Sequence, residues 1–262
     1  MGNLDFEQLK KYGSITDEDH PAKVYEVTLA QLLQSEAANA FTAYYAEKLK
    51  ATDVDVAATY FSSSFGYICA ALQTVLSTEL AIPSDRDQIT VQLYYNKEHD
   101  YYALSYKLAN LQCVSEANAN WRREQLVNFY KQVVTPVLEA LSQSTSIRIR
   151  ELWGQLVGGL HYGHKIGLTF IEEAQKDIVK QDFNWLLEKA APEIFRCDKN
   201  PLSFPIREIE SLKEPGTMIR MKPTCCLYYK TEKSRGTKCY TCPRLSEAER
   251  EDRKKQLVAS TT

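Results

Sequence analysis

Residues 89–106 read Ile89-Thr-Val-Gln-Leu-Tyr-Tyr95, Asn96-Lys-Glu-His-Asp100, Tyr101-Tyr-Ala-Leu-Ser-Tyr106. Ile89, Val91, Leu93 and Tyr95 alternate with Thr90, Gln92 and Tyr94. That period of two turns successive side chains to opposite faces of a strand. A polar five-residue joint separates two runs rich in β-branched and aromatic residues, so a β-hairpin is expected. The flanking sequence has the period of helices. The expected class is therefore α+β and mostly helical: several packed helices around a central β-hairpin or small antiparallel sheet.

Upstream, Val27, Leu29, Leu32, Leu33, Ala37, Ala40 and Tyr44 recur at three- and four-residue steps, which predicts a helix over Val24–Leu49. A second helix is expected over Val54–Leu80, closed by Pro83 and Ser84-Asp85. Downstream, helices are expected over Glu116–Leu141, with Pro136 kinking or dividing it, over Arg148–Tyr162 and over Thr169–Lys189. Residues 142–146 read as a joint. The Gly158-Gly159 pair is costly in a helix and points to close packing or a break. Residues 196–218, with Pro201, Pro205 and Pro215, read as irregular. No repeat or linker divides the chain, so 1–262 is expected to be one domain.

Composition excludes several classes. At 44% hydrophobic and 25% charged, the chain has the balance of an ordinary soluble globular protein. A net charge of −2 over 262 residues does not suit a protein that coats polyanions. The N-terminal Met1-Gly-Asn-Leu-Asp-Phe6 lacks a basic region and apolar core, so no signal peptide is expected, and position 6 is not the Ser or Thr of a myristoylation signal. Residues 54–82 are too often interrupted by polar groups for a transmembrane segment. A cytoplasmic location is expected, and its reducing conditions argue against structural disulfides among the seven cysteines.

Four of those cysteines fall within eighteen residues: Cys225-Cys226, twelve residues, then Cys239-Tyr-Thr-Cys242. Four thiolates brought together satisfy a tetrahedral zinc ion or a 2Fe-2S cluster; the other readings are a redox-active Cys239/Cys242 dithiol and accidental crowding. Zinc sites favour pairs separated by two to four residues, which Cys239/Cys242 fits and Cys225-Cys226 does not. Adjacent residues in extended chain point to opposite sides, so an adjacent pair suits a larger cluster with two irons to reach. Residues 219–244 also carry Arg220, Lys222, Lys230, Lys233, Arg235, Lys238 and Arg244 against Glu232 alone, a net +6 that leaves −8 for the rest. Such charge raises the potential of a cluster that becomes more negative on reduction, and it steers an anionic reactant. A nucleic acid is not the expected anion, because the basic stretch is short and Tyr228, Tyr229 and Tyr240 are equally suited to pack the centre. Beyond it, Ser246 and Glu249 form a capping box that opens a helix to about Val258.

Together the Cys-Cys-Leu-x-Tyr run and the Cys-x-x-Cys-Pro that follows a short loop resemble the C-terminal motif of the FhuF-like ferric siderophore reductases. The likeness extends to the helix rich in Ala, Tyr, Phe and Ser at 57–75, to the hairpin, to Leu152-Trp153-Gly154 and to Asn200-Pro201-Leu202, in order over roughly residues 25–245. The departure is the spacing between the cysteine pairs, twelve residues here where the family has ten, which enlarges the loop around Lys230–Gly236. The resemblance implies a 2Fe-2S cluster on Cys225, Cys226, Cys239 and Cys242, and one-electron reduction of a ferric siderophore or other ferric chelate that releases iron(II). It implies a ferredoxin-like electron donor, since no flavin or nicotinamide fingerprint is present, and peripheral association with an importer as a further partner. Arg220, Lys222, Lys230, Lys238 and Arg244 are the expected docking residues, with Trp153 lining the docking cavity. The alternative from another class is a zinc-stabilised binding module whose basic tip holds an acidic partner.

The remaining polar residues have plainer readings. His161 and His164 are read as packing or substrate-facing groups rather than ligands, because no Glu lies near them. Arg148 and Arg150 read as solvated or paired. Trp121, Trp153 and Trp185 read as core anchors, and Cys69, Cys113 and Cys197 as small core residues.

Overall fold

The computed structural model describes residues 6–108, 111–114, 117–205, 207–212, 214 and 216–261. Met1–Asp5, the expected helix start at Glu116 and Pro215 lie outside the described residues. The chain runs α1 (Phe6–Gly13), β1 (Ile15–Thr16), β2 (Lys23–Thr28), α2 (Ser35–Lys48), α3 (Asp55–Leu76), β3 (Leu80–Ala81), β4 (Ile89–Asn96) and β5 (Tyr101–Leu108). Then follow β6 (Gln112–Cys113), α4 (Ala119–Phe129), α5 (Thr135–Ser144), α6 (Ile149–Gly167), α7 (Glu173–Glu188), β7 (Glu208–Glu210), β8 (Met218–Arg220) and α8 (Glu247–Thr261). The class is α+β and mostly helical.

The hairpin forms as expected: β4 and β5 pair antiparallel from Ile89↔Leu108 to Asn96↔Tyr101. It is the middle of a four-stranded sheet of order β1-β5-β4-β2. The sheet is mixed rather than antiparallel, because β1 runs parallel to β5.

β2 corrects the helix expected over Val24–Leu49. Residues 23–28 hold Val24, Tyr25, Val27 and Thr28, which favour a pleated surface, and an edge of β4 is open to them. Val27 packs against its cross-strand partner Val91 in the core. The helix begins only at Ser35, after a single 3₁₀ turn. A second pairing in the stretch read as irregular joins β7 to β8, Glu208↔Arg220 to Glu210↔Met218.

α3 is buried on nearly every face, as befits a helix that is apolar all round. A chain of ring contacts ties it to the sheet: Tyr25 of β2 to Phe41 of α2, then Phe61 and Phe65 of α3, then Tyr106 of β5, with centroids 5.3–6.1 Å apart. Its opposite side meets α6 backbone to backbone. A Cβ on Gly66 would sit 1.9 Å from the Leu156 carbonyl oxygen, and one on Gly159 would sit 1.9 Å from that of Ser63. Gly159 is thus the glycine that close packing demands. Gly158 is not, since a Cβ there would meet only Pro223, at 3.8 Å.

Pro136 acts as expected, by a specific device. It has no N–H for the carbonyl of Gln132, and the helix passes through a π turn at Tyr130–Val134 before resuming as α5. The freed Gln132 carbonyl accepts from Arg86 Nη1 at 2.9 Å. The expected joint at 142–146 is shorter, because α5 continues to Ser144. Cys69 is in the core as expected, but Cys113 is exposed on the short surface strand β6, and Cys197 is only half-buried. No helix among the described residues is long and apolar enough to cross a membrane.

Candidate metal centre

Residues 221–245 wedge between the N-terminal halves of α3 and α6, and Thr224 is the anchor. Its hydroxyl donates to the Glu151 carbonyl at 2.8 Å, while Gln155 Nε2 donates to the Thr224 carbonyl and hydroxyl at 2.8 and 2.9 Å. Gly154 makes room, since a Cβ there would lie 2.3 Å from Thr224 Cγ2. From α3, the Thr59 hydroxyl donates to the Cys226 carbonyl at 2.9 Å. Thr59, Gln155 and Thr224 carry no sequence signal of a site, because each works by position in the fold.

The adjacent cysteines are bent as their pairing requires. Leu227 takes the left-handed conformation, φ 58°, which for a branched residue costs about 1 kcal/mol or more and needs the surrounding packing to hold it. The turn points the Leu227 N–H at Cys225 Sγ, 3.4 Å away, and the Tyr228 N–H at Cys226. The second pair sits in a turn closed by Cys242 N–H donating to the Cys239 carbonyl at 3.0 Å. α8 braces it: buried Arg250 donates to the carbonyls of Cys242 at 2.9 Å and Leu245 at 3.2 Å. The capping box is present, with Glu249 N–H donating to Ser246 Oγ at 3.2 Å and Ser246 N–H to Glu249 Oε2 at 2.7 Å.

These constraints gather all four expected ligands, grouped as two pairs. Cys242 Sγ lies 3.4 Å from Cys225 Sγ, and Cys239 hydrogen-bonds Cys226. Among the described residues no group of three or more His, Cys, Asp or Glu side chains is already arranged to hold a metal ion. Lys222 Nζ donates to Cys226 Sγ at 3.1 Å and lies 3.7 Å from Cys239 Sγ. The hydrogen bond from Cys239, helped by the Lys222 charge, pulls the Cys226 thiol well below its ordinary range. Burial pushes the Cys225 thiol up, and donation to Cys226 together with burial raises Cys239. The donor set fits a 2Fe-2S cluster: two thiolate pairs for two irons, with N–H and ammonium donors directed at the sulfurs.

The expected docking cations are less free than their sequence suggests. Lys230 pairs with Asp53 at 2.6 Å and Lys238 with Glu249 at 3.4 Å. Arg220 contacts His161 at 3.2 Å, and Arg244 donates to the Tyr229 hydroxyl at 3.1 Å. Lys222 faces sulfur. Trp153 is the core anchor read above, 1% exposed and edge-on to Phe195, and its burial corrects the second reading of it as a docking-cavity wall. The loop tip is sewn to the α2–α3 turn by Thr52 N–H to the Lys230 carbonyl and Glu232 N–H to the Lys50 carbonyl, both 2.9 Å. His164 stacks on Phe183 at 3.8 Å and His161 meets the same ring edge-on, so both pack as expected. Neither a protein-family model nor a curated protein matches this chain.

Proposed function

We propose that the chain is an iron–sulfur oxidoreductase that holds a 2Fe-2S cluster on Cys225, Cys226, Cys239 and Cys242. Within that class we propose a cytoplasmic ferric siderophore reductase. The observation that carries the reading is the pairing of four thiols, Cys225 with Cys242 and Cys226 with Cys239, beside an ammonium group. The likeness to the FhuF-like motif supports the narrower assignment.

Bound there, the cluster supplies one-electron chemistry. Iron(III) is held tightly by hard oxygen ligands and iron(II) far less so, so one added electron turns a persistent chelate into one that releases metal. This task needs no nucleophile or general base. The protein must hold the sulfurs rigidly, which Thr224, Thr59, Gln155 and Arg250 do. It must keep one edge within reach of a reactant, and Cys239 is the half-exposed sulfur. It must attract that reactant, a task left to Lys233 and Arg235 on the tip and Arg244 beside it, all exposed. The donor is a ferredoxin-like protein.

Anaerobic purification tests the reading first. The expected result is a red-brown protein with two irons and two sulfides per chain. A colourless protein carrying zinc would replace the reductase with a binding module. Reoxidation of the reduced protein by a panel of ferric chelates, followed by stopped flow, then tests the substrate. Reoxidation by oxygen alone would refute that part.

A further inference from the structure

The two sulfur pairs differ in charge and exposure. Cys225 and Cys242 are 3% and 2% exposed, at the floor of the wedge against α3 and α6. Among the described residues, the N–H donor directed at this pair is Leu227 N–H, at 3.4 Å from Cys225. Arg244 lies toward Cys225 but gives its N–H to the Tyr229 hydroxyl. Cys226 and Cys239 form the outer pair, Cys239 half-exposed, and Lys222 touches both. The position of Lys222 is itself set, since its backbone N–H donates to the Thr241 carbonyl at 3.0 Å between the outer and inner cysteines of the turn.

We infer that Lys222 is a positioning residue that places the reducing equivalent on the iron held by Cys226 and Cys239, the solvent side of the centre. The inference rests on the iron–sulfur reading above. An added electron is stabilised most where its ligands accept charge-assisted hydrogen bonds and where a cation is nearest. Lys222 supplies both to the outer pair. One electron is taken from the donor protein and one is given to the chelated iron(III), which becomes iron(II), and no covalent bond forms in the protein. Holding that electron at the outer pair shortens its path to a docked chelate. Lys222 is then an internal part of the centre, not a docking residue.

Midpoint potentials of ligand and lysine variants test this, and iron content tests the underlying reading separately. A serine alkoxide is a harder donor than a thiolate and favours iron(III), so it lowers the potential most at the iron that is reduced. Cys226→Ser and Cys239→Ser are expected to lower the potential more than Cys225→Ser and Cys242→Ser. Should serine variants fail to assemble, Lys222→Met answers: two irons per chain retained, a potential below the parent's, and recovery in Lys222→Arg. An unchanged potential in Lys222→Met, or equal or larger shifts at the inner pair, overturns the inference while leaving the cluster in place. A parent protein that takes up no iron overturns both.

Discussion

His164 lies flat on Phe183, with the rings 10° from parallel, and that burial sets how it titrates. Burial first, then the neighbouring His161 and Lys180, pulls its pKa from 6.5 to about 4. The unfolded chain therefore takes up a proton near pH 6.5, whereas the folded chain resists until about pH 4. Stability contributed by the neutral ring is full above that window and falls as the pH drops through it. The slope is at most roughly 1.4 kcal/mol per pH unit, reduced by the partial exposure of the ring. Urea unfolding of parent and His164→Phe at neutral and mildly acid pH checks this: the variant should lose less stability on acidification, and parallel losses would refute it. At this scale the four cysteines were legible, because a short loop keeps them close along the chain. The role of Lys222 was not, because its spacing on the sequence does not tell whether it meets sulfur, acid or water.

The neighbouring glycines of α6 behave as opposites. Gly159→Ala drives a methyl group into the Ser63 carbonyl and must part α3 from α6, a loss of about 2–3 kcal/mol or more. Gly158→Ala makes only an ordinary contact with Pro223 and gains helix propensity, about 0.5–1 kcal/mol. Chemical denaturation of both variants should give shifts of opposite sign, and a shared sign would contradict the packing described. The sequence marked the pair without telling its members apart, since which face of α6 meets α3 is a tertiary fact. Strand β2 failed for a related reason. Val27, Leu29, Leu32 and Leu33 satisfy helical spacing, but the open edge of β4 offered the backbone a ladder over Tyr25–Thr28, with a bulge at Val24. Pro136, by contrast, acts on its own backbone, and its effect was readable where it stands.

Across the whole molecule, one hydrophobic cluster runs from Leu9 to Leu245, and the cysteine segment joins it last in chain order, through Cys225, Leu227, Cys242 and Leu245. Where the proposed cluster is bound, removing its iron should lower the melting temperature and open residues 228–245 to proteolysis, while far-UV circular dichroism from α3 and α6 persists. A melting temperature indifferent to iron would mean that the segment is held without metal. The alternation at 89–106, the apolar helices and the crowding of four thiols were determined by the sequence alone, because each depends on periodicity or on neighbours along the chain. The fourth strand of the sheet, the division of the thiols into inner and outer pairs and the neutralising of Lys230 and Lys238 by Asp53 and Glu249 were decided only in three dimensions. Those features join residues far apart in the chain, and the free energy of such contacts depends on a distance that only the packed helices set.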